Sequence, residues 1–228
     1  MAFGREAIDA NGPTRDFPDA SMLTGLIANA LGWKRHEAAR HQKLQDRLIL
    51  ATRIERNGHD LRDFQTATLS KRDEGWTTRG VPEGRAGGEN TYKSPHIRYR
   101  HYRADAALLV ALRLSGVDEP PTLEDIAAAI AEPVRPLFIG RKSCPPSAPL
   151  SLGIVTADSI VAALQSTQAV GTDERERYIL SPDDAASIDA SAVVAHETLR
   201  LTGRRDWVAG VHAGQEKRII VTFKRDAP

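Results

Sequence analysis

Cysteine occurs once in the 228-residue chain, at Cys144, which excludes an internal disulfide and any cysteine-rich zinc site and suits a reducing compartment. Long apolar runs are also missing. The uninterrupted stretches fall far short of the roughly 20 residues a membrane span needs, and the opening MAFGREAIDANG has no apolar region of a secretory signal. A cytoplasmic protein is the expectation. Nor is there a surplus of either charge, since 31 basic residues meet 30 acidic ones for a net +1. The total therefore says nothing about nucleic acid, and the distribution has to be read instead.

Nucleotide hydrolysis lacks its signature, because no GxxxxGK[ST] run cradles a phosphate chain. Metal-ligand spacing is absent as well: His36 and His41 are five apart, as are His96 and His101, whereas two ligands on one helix face need i, i+4. Asp183-Asp184 and Glu174/Glu176 sit in hydrophilic stretches and read as solvated rather than as a two-metal site. The expectation is no metal and no cofactor.

What is present is an apolar share of 41%, enough to supply a core for one large domain or two small ones. Basic charge is segregated. Residues 62–103 hold nine Lys/Arg against five Asp/Glu and residues 200–225 hold seven against two, while residues 173–197 hold two against seven. Such segregation follows a phosphate backbone or is ordinary solvated surface.

Along the chain, Asp19 or Ser21 caps a helix whose stripe is Met22, Leu23, Leu26, Ile27 and Leu31, ended by Gly32. His36 to Arg47 reads as polar helix. Two extended runs then flank Asn57-Gly58, which predicts a hairpin because both turn positions tolerate positive φ. Residues 67–97 carry five glycines among charged and hydroxyl residues and few aliphatics, so they cannot form a core, and a long coreless excursion is functional or disordered. The apolar run from Ala106 to Leu114 reads as a buried central strand. Thr122, with Asp125 three residues on, caps a helix that Pro133 stops. After Pro145, Pro146 and Pro149, a short helix near Ile160–Leu164 and extended runs at Trp207–His212 and Arg218–Phe223 suggest a smaller β-rich part. The order fits an α+β, ferredoxin-like βαββαβ domain over residues 1–145 with a β-rich domain over 146–228. Its first strand is missing, since nothing before Asp9 is long or apolar enough, and the true start is expected upstream of Met1.

The segment NTYKSPHIRYRHYR, residues 90–103, holds three of four tyrosines, Tyr92, Tyr99 and Tyr102, with Lys93, Arg98, Arg100 and Arg103. Cations that neutralise phosphates beside faces that stack on bases are what single-stranded nucleic acid wants. An exposed edge strand kept soluble by arginine accounts for the same residues. In GRKSCP, residues 140–145, glycine lets the backbone approach an anion, Arg141 offers a fork and Lys142 a point charge. Tyr92, Lys93, His96 and His101 are the residue types a metal-independent ribonuclease uses.

Four segments occur in an order that identifies a family: GPTRDFPDASMLTGLIANALGWKR, LRDFQTA at 61–67, YKSPHIRYRHYRADAALLVAL at 92–112 and PLFIGRKSCPPSAPL at 136–150. Together they resemble the Cas-five family of CRISPR-associated proteins in its CasD form, the RAMP-superfamily subunits of type I-E Cascade. The likeness spans residues 2 to about 155. It implies an RRM-like domain in which residues 67–97 form a protruding thumb, with Lys71, Arg72, Trp76, Arg79 and Arg85 on it. It further implies that the 5′ handle of the CRISPR RNA lies against Ser21, Arg62, Gln65, Thr66, Tyr92, Lys93, Arg98, Tyr99, Arg100, Arg141, Lys142 and Ser143. The implied partners are that handle, the backbone and large Cascade subunits, and nearby target DNA. The implied role is antiviral and non-catalytic. Endoribonuclease processing of repeat RNA is the alternative.

Overall fold

The computed structural model describes residues 1–5, 10–68, 95–116, 119–171, 175–189, 191 and 193–224. Three two-residue strands come first, β1 (Phe3–Gly4), β2 (Asn11–Gly12) and β3 (Thr14–Arg15). Helix α1 (Ala20–Ala30) starts where the sequence says it should: the Asp19 carboxylate accepts from the Met22 amide at 2.8 Å, and Gly32, at φ +77°, turns the chain out. Helix α2 (Ala38–Arg47) follows and feeds directly into β4 (Leu48–Arg56).

The strands on either side of Asn57-Gly58 exist, but they do not pair with each other as a hairpin. Strand β4 pairs with β7 (Ala107–Leu114), while β5 (His59–Ala67) pairs with β6 (His96–Ala104). Both pairings are antiparallel, so β4–β5 and β6–β7 form one long two-stranded ribbon that changes sheets midway. Gly58, at φ +64°, makes that change, because a Cβ there would lie 2.1 Å from the Ala104 carbonyl oxygen. Of the two expected turn positions only Gly58 takes positive φ, so the hairpin turn expected at Asn57-Gly58 does not form, and each strand pairs with one distant in sequence.

Next come α3 (Leu123–Ala131), closed by a reciprocal capping box between Thr122 and Asp125, and α4 (Ile160–Ser166), capped by Ser159. The remaining elements are β8 (Arg175–Leu180), α5 (Pro182–Ala186), β9 (Val193–Leu201), the small pair β10 (Arg205–Asp206) and β11 (Val211–His212), and β12 (Glu216–Lys224). The main sheet has the order β7-β4-β8-β12-β9. It draws strands from both sides of residue 145, so no sheet boundary falls there. Strand β7 is its edge, not its centre. Apolar side chains on both faces of β7 reflect two covering layers: Leu112 and Leu114 pack toward Ile27 and Ile126 of α1 and α3, whereas Leu109 and Ala111 pack toward Ile160 and Leu164 of α4.

Fully buried Ile27, Leu44, Leu50, Leu164, Ile179 and Leu180 anchor these layers, each burial stabilising by about 1.5–3 kcal/mol. A buried charge network threads the sheet. Arg53 pairs with Glu55, both nearly inaccessible, and its Nη atoms donate to the Leu164 and Thr167 carbonyls, the latter at 2.9 Å. Glu55 in turn accepts from the Val170 and Gly171 amides at 3.0 and 3.2 Å. The network ties the segment after α4 to β4. On the other side, the buried Gln45 of α2 bonds the Arg205 amide and carbonyl and the Trp207 indole, clasping the β10–β11 pair.

Candidate nucleic-acid interface

Register decides which side chains share a face. Across β5 and β6 the direct partners are Arg62 with His101, Phe64 with Tyr99 and Thr66 with Ile97 on one face, and Leu61 with Tyr102, Asp63 with Arg100 and Gln65 with Arg98 on the other. The pairing thus brings Arg62, Gln65 and Thr66 beside Arg98, Tyr99 and Arg100, and then divides them between two faces. Strand β5 is exposed along its whole length. Strand β2 adds to the other edge of β6, in parallel, with Asn11 opposite Tyr99 and Gly12 opposite Arg100.

The first face is aromatic and cationic. Phe64 and Tyr99 have ring centroids 5.5 Å apart at 50°, and the Arg62 guanidinium lies 5.2 Å from the Tyr99 centroid. Asp60, the carboxylate at the base of this face, is held by Arg103 at 2.8 Å, and Arg103 also bonds the Asn57 carbonyl at 2.5 Å. Arg103 is therefore committed to holding the ribbon at its base.

On the second face the turn at 139–144 docks against Tyr102. Gly140 has φ +85°, and a Cβ there would lie 1.6 Å from the Ala2 carbonyl oxygen; Ala2 itself donates to the Ile139 carbonyl at 3.1 Å. The close approach expected at this glycine is thus made to the protein's own backbone. The Arg141 fork is likewise engaged internally, donating to the His101 carbonyl at 3.0 Å and the Gly12 carbonyl at 3.1 Å, with its guanidinium 4.9 Å from the Tyr102 centroid. Lys142 and Ser143 are exposed, and the Ser143 hydroxyl reaches the Tyr102 hydroxyl at 3.4 Å. A methyl placed on Gly12 would sit 3.3 Å from nitrogens of both Arg100 and Arg141. Two guanidinium groups therefore flank one bare stretch of backbone.

Ser21 stands apart from this surface. It is 7% exposed, its hydroxyl donates to Asp19 at 2.8 Å, and its amide bonds the Gly203 carbonyl. Lys71, Arg72, Trp76, Arg79, Arg85, Tyr92 and Lys93 lie outside the described residues. Phe64 was not singled out by sequence: alternation groups it with Arg62 and Thr66, and only the register of β5 against β6 sets that face beside Tyr99. His96 and His101 project to opposite faces of β6, so the two imidazoles do not converge on one reacting atom. Among the described residues, no group of three or more His, Cys, Asp or Glu is arranged to hold a metal, and no helix is long and apolar enough to cross a membrane.

Comparison with known proteins points one way. The sequence family described as CRISPR-associated protein (Cas_Cas5) matches residues 1–218. A curated relative, the CRISPR system Cascade subunit CasD of Escherichia coli (strain K12), is 28% identical over 181 residues, covering 76% of this chain and 75% of the relative. Among solved structures, a chain of a CRISPR RNA-guided surveillance complex superimposes with a TM-score of 0.61 at 20% identity over 98% of this chain and 86% of its own. A crystal structure of a Cas protein gives 0.53 at 22% identity over 98% and 89%. At those identities the structural likeness bears on the fold.

Proposed function

Because the chain belongs to the CRISPR-associated protein (Cas_Cas5) family, we propose that it is a non-catalytic RNA-binding subunit of a type I-E Cascade complex. In this role it holds the 5′ handle of the CRISPR RNA and caps the backbone of subunits beside the target DNA, in the cytoplasm. Residues 1–145 act as the RRM-like RAMP palm with the thumb at about 67–97, and residues 146–228 as a β-rich extension whose strands complete the palm's sheet.

The observation that carries this reading is the pairing of β5 with β6. It assembles Arg62, Gln65 and Thr66 with Arg98, Tyr99 and Arg100 on one exposed ribbon, and the 139–144 turn brings Lys142 and Ser143 against its base. An RNA end held for the life of a complex needs many backbone contacts and unstacked bases, its slow release coming from their sum. A turnover enzyme needs the opposite, weak product binding. Sequence reading is then left to base pairing by the guide, with the protein supplying charge and shape.

The test is binding and cleavage of a labelled repeat-derived RNA by the purified chain, with EDTA present and salt titrated. Tight, salt-sensitive binding with the RNA intact is the expected result. Cleavage abolished by substitution of His96 or His101 would move the protein to the metal-independent endoribonucleases.

A further inference from the structure

The ribbon keeps two chemistries apart. Its second face carries Arg98 and Arg100, with the exposed Lys142 in the turn at its base, groups suited to phosphate. Its first face carries Phe64, which is 59% exposed although it is among the largest apolar side chains in the ribbon. A phenylalanine there contributes little to the core, and the ring it touches, Tyr99, stands at 50° to it and leaves most of its surface to solvent. Around it lie Arg62, stacked on Tyr99, with Thr66, Ile97 and His101. Asp60 and Asp16 both pair with Arg103 at the base of the ribbon, which leaves the Arg62 guanidinium as the cation beside the two rings.

We infer that Phe64, with Tyr99 and Arg62, forms a base-stacking subsite that takes one unpaired nucleobase of a single-stranded RNA. An aliphatic protein surface would find only Phe64 and Ile97 as apolar partners and two cationic or titratable neighbours. A nucleobase instead offers a flat π-face to the phenyl ring and a linked phosphate to the guanidinium. The inference rests on the RNA-binding reading above and adds to it the residue that contacts a base rather than a phosphate.

The test uses the full chain, alone and within the complex it assembles, with an RNA oligonucleotide carrying 2-aminopurine at successive handle positions. Phe64→Ala weakens binding roughly fivefold to a hundredfold, the range for losing one stacked base. It also removes the fluorescence quenching at one position. The salt dependence of binding stays unchanged, because no phosphate contact is lost, whereas Arg100→Ala lowers the slope of log affinity against log salt by about 0.7. Phe64→Trp restores affinity and quenching; Phe64→Leu does not, since it keeps apolar area without a π-face. Melting of each variant monitors the fold. Wild-type affinity in Phe64→Ala, or full rescue by Phe64→Leu, overturns the stacking subsite while leaving RNA binding in place. Lost assembly of the Phe64→Ala complex with undiminished RNA affinity overturns it in favour of a protein contact. Absence of RNA binding by the wild-type chain and complex overturns both readings together.

Discussion

Arg141 lies in the turn expected to meet phosphate, yet its fork is closed on two carbonyl oxygens of its own chain, those of His101 at 3.0 Å and Gly12 at 3.1 Å. Hydrogen bonds from a charged donor contribute about 1.5–3 kcal/mol each. Arg141 is half-buried, so the lower part of that range applies, and the stack on Tyr102 adds about 0.5–1 kcal/mol. Replacing Arg141 with alanine should thus cost about 3–4 kcal/mol, which in a chain of this size lowers the melting temperature by roughly 10 °C. Lysine offers a single ammonium that cannot reach both carbonyls in a plane, so Arg141→Lys should recover less than half of the loss. The assay is a pair of curves per variant, a thermal or urea melt and a salt titration of RNA affinity. Internal clamping predicts a large melting shift with the salt slope unaltered. A melting temperature within about 1 °C of the parent, together with a slope reduced by about 0.7 as for one lost phosphate contact, would refute the clamp and make Arg141 a direct RNA ligand.

Other consequences follow from the sheet interior. Arg53→Ala strands the Glu55 carboxylate, 3% exposed, in the sheet and should destabilise by about 3–5 kcal/mol in chemical denaturation. Arg53→Lys should rescue little, because three acceptors on two segments need the guanidinium fork. Burial, reinforced by the hydrogen bond donated to Glu176, pushes the Tyr178 hydroxyl up to about 12 from its usual value of 10.0. The folded state then binds a proton the unfolded chain releases, so Tyr178 contributes fully below pH 10, and that contribution is lost as pH rises toward 12. Tyr178→Phe should flatten the fall in urea midpoint across that window, and absorbance titration should lose one late-ionising phenol.

Much of the helical framework was legible because its signals are local. Asp19 and Thr122 announce their helices by capping chemistry within three residues, and Gly32 and Pro133 mark the stops. Strand pairing is not local, and here sequence misled. Asn57-Gly58 carries the residues of a tight turn whether the strands on either side pair with each other or leave for different sheets, and only the partner strands decide. The run from Ala106 to Leu114 is apolar on both faces because helices cover both, a cause that alternation cannot separate from a central position. Strands β8 and β9 were missed for the converse reason: RERYIL and VVAHETLRL mix charge into every turn of the pattern, and pairing with β12 supplies what their composition does not. The candidate surface divides in the same way. Its arginines and tyrosines stand together in the chain and could be found by eye, whereas Phe64 acquires meaning only from Tyr99, thirty-five residues on and directly across the ladder.

The passage of one strand pair from the main sheet into the small one has a mechanical side. At the crossing, Gly58 abuts the Ala104 carbonyl and the Ala106 amide with no room for a side chain, and Arg103 bolts the outer strands to Asn57 and Asp60. The ribbon therefore behaves as a lever on a stiff elbow, not as a hinged flap. A pull on its outer end is delivered as torque to β4 and β7, between the layers of α1, α3 and α4. Whatever grips the ribbon is indexed to the core by covalent chain on both sides, and gripping it loads the sheet.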